Sequence, residues 1–104
     1  MWYMIHGVDH AETVEQRAQA RPAHLARLQA LRDAGRLLLA GPLPDAAEPD
    51  ASRMVGSLIL ADFDSLEDAR RWAEDDPYVH AGVYRDVHIA PWKGVFMPET
   101  SPKN

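Results

Sequence analysis

Two rhythms of apolar and polar residues run along the chain, one with a two-residue period in short segments and one with a three-to-four-residue period in longer ones. Met1 to Val8 alternates so that Trp2, Met4, His6 and Val8 share one face of a strand and Tyr3, Ile5 and Gly7 the other. A long helical stretch follows, in which Ala18, Leu25, Leu28 and Leu31 recur at helical spacing and Gly35 is placed to end it in a left-handed turn. Pro22 lies inside this stretch and lacks an amide hydrogen, so a kink or break is expected near Arg21. Arg36 to Leu43 reads as a second strand whose prolines, Pro42 and Pro44, put its end at a sheet edge or in a loop. Asp45 to Arg53 has no apolar period and reads as an exposed hairpin loop. Met54 to Phe63 is the third strand. Asp64 or Ser65 caps a second helix that ends before Asp75-Asp76-Pro77, because a residue preceding proline is disfavoured in helical geometry. Tyr78 to Gly82 forms a turn or a single helical turn, and Val83 to Lys93 the fourth strand.

The order β-α-β-β-α-β predicts a ferredoxin-like α+β fold: a four-stranded antiparallel sheet with both helices on one face. Residues 1–96 are expected to form one domain and 97–104 a flexible tail. Two helices cover one side of a sheet, yet Trp2, Met4, Leu38, Leu58, Leu60, Val87, Ile89 and Trp92 cannot all point that way in any register. Burial of one such side chain is worth about 1.5 to 3 kcal/mol, against a total domain stability of about 5 to 15 kcal/mol. The expected solution is a homodimer with the two sheets face to face. The alternative is the tail folding back, although its first part offers only Val95, Phe96 and Met97.

Composition narrows the classes of function. The 104 residues are 46% hydrophobic and 26% charged, a globular balance, and contain no cysteine. Disulfides, thiolate metal sites and a cysteine nucleophile are thereby excluded. A net charge of −5 disfavours binding to a phosphate backbone, so no nucleic-acid partner is expected. The apolar runs are too short to cross a bilayer, and the beginning lacks a basic segment followed by an apolar run, so the chain is read as soluble, unprocessed and cytoplasmic, without a membrane partner.

Few positions carry chemistry. His24 precedes Leu28 and Leu31 by four and seven residues, which places its ring on the inward stripe of the long helix. It is either a core histidine bonded to a carbonyl or a general acid–base. Asp76 could orient it, or simply form an Asp-Pro turn. Gly41-Pro42 is either a pocket wall or an ordinary strand exit. Ser57 is a lone strand hydroxyl able to bond a ligand, and Arg21 stands where it could meet a substrate carboxylate. Arg17 and Arg27 read as a solvated helix face. His6, His10, His80 and His88 lack metal-site spacing, and no phosphate-binding glycine loop or serine-hydrolase elbow is present, so neither metal nor cofactor is assigned.

These residues resemble the YciI-like (YCII-related) family of the dimeric α+β barrel group. The resemblance extends from Tyr3 to Trp92 and is carried by Arg21-Pro22-Ala23-His24-Leu25, Leu38-Leu39-Ala40-Gly41-Pro42, Trp72-Ala73, Asp75-Asp76-Pro77-Tyr78 and Ile89-Ala90-Pro91-Trp92. It implies a ferredoxin-like protomer, dimerisation through the sheets and a site around a histidine and an aspartate, which fall on His24 and Asp76. Relatives of the family include a dehydrochlorinase acting on a chlorinated hydroquinone. The resulting expectation is a small cofactor-independent enzyme of lyase or isomerase type, with acid–base chemistry at His24 and Asp76 and substrate contacts from Arg21, Gly41, Pro42 and Ser57. The other reading is a non-catalytic module in which the same pocket holds a small ligand.

Overall fold

The structure is a computed structural model that describes residues 1–48 and 53–98. Its elements are β1 (Trp2–Asp9), α1 (Val14–Asp33), β2 (Leu37–Pro44), β3 (Met54–Asp62), α2 (Leu66–Glu74), α3 (Pro77–His80) and β4 (Tyr84–Pro91). The strands form one antiparallel sheet in the order β2-β3-β1-β4. This is the expected ferredoxin-like α+β topology, with β2 and its two prolines at an edge, where a missing amide hydrogen costs no ladder bond.

Register decides which residues reach the core. Ile5 lies opposite Ile59 on one side and Ile89 on the other, and Tyr3 lies opposite Ala61. This row faces the helices and packs with Leu28, Leu31, Phe63, Ala69 and Ala73. Val87 and Ile89 also pack against this cluster, so of the eight apolar residues that cannot all face the helices these two do. The opposite face carries Met4 beside Leu60, His6 between Leu58 and His88, and Leu39 opposite Leu60. No helix covers it.

The expected break at Pro22 does not occur: α1 is continuous from Val14 to Asp33. Pro22 sits on the exposed side of α1, where water can satisfy the carbonyl that loses its donor. Gly35 follows the helix at φ +73°, the left-handed geometry expected of it. Ser65 caps α2 by accepting the Asp68 amide hydrogen at 3.1 Å. The Asp45 amide donates to the Arg53 carbonyl at 3.1 Å across the β2–β3 connection. Residues 49–52 of that loop, and 99–104 of the expected tail, lie outside the described residues.

Candidate functional site

Arg17, Arg21, His24, Leu28 and Leu31 succeed one another in α1 at steps of three and four residues and therefore form one stripe. Its lower part packs into the core, and its upper part lines a cleft of about 520 Å³ between α1 and strands β2 and β3. That size falls within the range of small-molecule sites.

His24 is buried, and its Nδ1 lies 2.9 Å and 3.0 Å from the two carboxylate oxygens of Asp76. An ionised carboxylate only accepts, so opposite such a group Nδ1 is the donor, and a neutral ring in this pairing has its lone pair on Nε2. Among the described residues Nε2 has no hydrogen-bond partner, and His24 lines the cleft. Asp76 is 2% exposed and is itself fixed, because its Oδ1 accepts the Tyr78 amide hydrogen at 2.9 Å as the N-cap of α3. The two readings of Asp76, turn residue and orienting carboxylate, thus describe one side chain doing both. The Tyr78 ring stacks on the His24 ring at 4.0 Å between centroids and 19° between planes.

A second polar unit lies beside the first. Arg17 Nε donates to Asp9 Oδ2 at 2.7 Å and Arg17 Nη2 to Asp9 Oδ1 at 3.1 Å. Nη2 also donates to the Gly56 carbonyl at 2.7 Å and to Ser57 Oγ at 2.9 Å. Burial opposes the charge on Arg17, but the hydrogen bonds and field of Asp9 outweigh it and raise the guanidinium pKa. The expectation of a solvated helix face for Arg17 and Arg27 is therefore wrong. Arg17 is 8% exposed, and Arg27 lies 4.3 Å over the Trp72 ring and donates to the Trp72 carbonyl at 2.9 Å. A register shift between Val8 and Asp9 at the end of β1 accompanies the inward carboxylate.

Tyr84 lies under this unit. Its ring crosses Gly7 so closely that a Cβ there would stand 2.6 Å from ring atoms, and its hydroxyl is buried without a partner. Burial pushes the Tyr84 phenol well above its ordinary pKa, and burial likewise raises Tyr78 against the opposing pull of Arg17 and Arg21. Neighbouring Gly56 is equally constrained, since a Cβ would fall 2.5 Å from the Gly7 carbonyl oxygen.

Arg21, Gly41, Pro42 and Ser57 all line the cleft that holds His24. Arg21 is exposed at its rim and has no ion-pair partner among the described residues. Gly41 has nothing within 4 Å of a would-be Cβ, so its neighbourhood is open space and no close approach requires glycine there. Asp9, Arg17, Tyr78 and Tyr84 were not anticipated. For Arg17 the signal was present in the helical stripe it shares with Arg21 and His24. His6 and His88 lie apart from the cleft, on the opposite sheet face with ring centroids 5.9 Å apart, and no group of three metal-ligating side chains occurs among the described residues.

Comparison with known proteins agrees with this architecture. A YCII-related domain model matches residues 1–93. Protein YciI of Escherichia coli O6:H1 is 53% identical over 98 residues, covering 92% of this chain and 100% of the relative. An uncharacterized protein of Haemophilus influenzae is 46% identical over the same shares of both chains. Among solved structures, the 5-chloro-2-hydroxyhydroquinone dehydrochlorinase TftG of Burkholderia phenoliruptrix, in complex with 2,5-dihydroxybenzoquinone, superposes with a TM-score of 0.80 at 26% identity, covering 89% of this chain and 94% of that one. An antibiotic biosynthesis monooxygenase-like protein of Nitrosomonas europaea shares the fold at a TM-score of 0.51 and 14% identity, over 92% of this chain and 100% of that one. From the span of the domain match and the identity to these relatives, the chain belongs to the YCII-related family.

Proposed function

We propose that the protein is a small enzyme that moves a proton on a compact oxygenated metabolite, with His24 as general acid–base and Asp76 as the group that orients it. The observation that carries this reading is the bond from His24 Nδ1 to Asp76 at 2.9 Å beside a cleft of about 520 Å³. A base fixed in one tautomer, with the basic nitrogen next to a ligand-sized hollow, is the arrangement general base catalysis needs. In this role Nε2 takes a proton from the substrate, and Asp76 stabilises the imidazolium that results. The proton then returns at another position, giving isomerisation, or its loss is coupled to a departing group, giving elimination. Apolar walls from Leu25, Pro42, Met54 and Ile59 accept the body of the substrate, and Arg21 at the rim attracts an anionic substituent. The likeness to a dehydrochlorinase solved with a six-membered ring bearing four oxygens supports a ligand of this size.

The test is turnover of a panel of aromatic acids, hydroxyquinones and small lactones, with His24 ring signals followed by NMR. His24→Ala is expected to lower turnover by about 10²- to 10⁴-fold while the protein stays folded. Ligand-linked shifts of the His24 ring without product from any compound would instead favour a non-catalytic binding module.

We also infer that a second copy of the chain covers the open sheet face. Leu39 there is 41% exposed, and after β4 the apolar Val95 and Phe96 cover nothing, remaining 78% and 93% exposed.

A further inference from the structure

A neutral imidazole is too weak a base to take a proton from carbon unless the electron pair left behind moves onto an electronegative atom that the protein stabilises. The cleft contains such a stabiliser. Ser57 is 4% exposed, lines the cleft, and accepts a hydrogen bond from Arg17 Nη2 at 2.9 Å. Its own hydroxyl hydrogen is left to turn between the cleft and the neighbouring Tyr84 hydroxyl, whose phenol pKa Ser57 pulls down against the larger effect of burial. A hydroxyl that accepts from a cation is a stronger donor through its remaining hydrogen, because the two bonds polarise each other. Arg17 cannot swing away, being tied to both oxygens of Asp9 and to the Gly56 carbonyl. Arg21 is poorer for this purpose because its charge is exposed and screened. Behind Ser57, its cross-strand partner Gly7 carries the Tyr84 ring, whose buried hydroxyl has Ser57 as its polar neighbour.

We propose that Ser57, polarised by the Arg17–Asp9 pair, donates to the oxygen of an enolisable carbonyl substrate, so that the bond His24 breaks is a C–H next to that carbonyl. This deepens the acid–base reading and rests on it. In the step, the C–H pair forms a carbon–carbon double bond and the carbonyl π pair moves onto oxygen. The proton goes to His24 Nε2, and the Ser57 hydroxyl holds the new oxyanion. Return of the oxygen pair then accompanies protonation at another carbon or loss of a leaving group.

The test uses substituted phenolates, which present a localised oxyanion of adjustable basicity, measured by calorimetry on the intact protein. Wild-type affinity is expected to rise with phenolate basicity. Ser57→Ala is expected to flatten that dependence and to weaken the most basic phenolate about ten- to a hundredfold, the worth of one hydrogen bond to a charged group. Ser57→Thr, which keeps the hydroxyl, is expected to restore both and guards against a folding defect in the alanine variant. Failure of every phenolate to bind wild type, or an unchanged dependence in a folded Ser57→Ala protein, overturns the proposal. The parallel measurement is deuterium uptake from D₂O into 2-oxo acids and cyclic diketones. Loss of uptake in His24→Gln with phenolate dependence retained supports both roles. Ser57-dependent phenolate binding with uptake that ignores His24 overturns the acid–base reading and leaves the Ser57 donor standing.

Discussion

His24 is held from two directions at once, by the Asp76 carboxylate in its plane and by the Tyr78 ring on its face. Tyr78 in turn receives the Arg17 guanidinium 4.8 Å from its centroid and meets Tyr84 edge-on at 5.7 Å and 80°. Two phenols are therefore packed into the wall and floor of the site, and burial favours their neutral forms. A phenol whose folded pKa is raised keeps its proton where the unfolded chain has already lost it. Its contribution to stability is complete below about pH 10, the ordinary tyrosine value, and is lost as the pH climbs above that value. Ultraviolet titration is expected to show Tyr84 and Tyr78 ionising late, together with alkaline loss of the fold. Ionisation of all three tyrosines at the ordinary value in a folded protein would contradict this packing.

At the scale of elements, the site depends on strand ends and on glycines that let them meet. β1 ends with Asp9 turned inward, β3 carries Gly56 and Ser57 in its first half, and α1 lays Arg17 across both. Asp9→Asn leaves the buried guanidinium without its counter-charge, and such a loss costs about 3 to 5 kcal/mol. Gly56→Ala drives a methyl into the Gly7 carbonyl, and overpacking of this kind costs about 1 to 3 kcal/mol. Urea unfolding of the two variants checks both figures, and wild-type stability in either would mean that the strand ends are not so closely joined. Much of this level was legible in the sequence. Alternation placed the strands within a residue or two, Gly35 and Ser65 marked helix ends, and helical spacing put His24 inward. What could not be read was the partner of each inward polar group. Arg17 looked like a surface cation because the carboxylate that neutralises it, Asp9, is joined to it through the turn of the β1–α1 connection. Pro22 looked like a break because its exposed position, which makes the missing bond tolerable, is a property of the packed helix.

For the whole molecule, the uneven treatment of the two sheet faces is the dominant feature. One face is covered by α1 and α2 apart from the cleft between α1 and strands β2 and β3. The other bears Met4, Leu58 and Leu39 around the His6–His88 pair, with Val95 and Phe96 exposed after β4. A second copy would remove this surface from water, and each large side chain so covered is worth about 1.5 to 3 kcal/mol. Sedimentation equilibrium is expected to give a dimer, and Leu39→Glu to shift it towards monomer with the circular dichroism of the fold retained. A wild-type monomer at all concentrations would contradict the pairing. No helix among the described residues is long and apolar enough to cross a membrane.

All the proposed chemistry depends on which nitrogen of one imidazole carries the hydrogen. The direct measurement is the ring ¹⁵N spectrum of the neutral His24 side chain, in wild type and in Asp76→Asn. The account predicts the Nδ1–H tautomer in wild type, with an unprotonated Nε2 that responds to ligands, and loss of that preference in the variant. An Nε2–H tautomer in wild type, or one indifferent to Asp76, would contradict it.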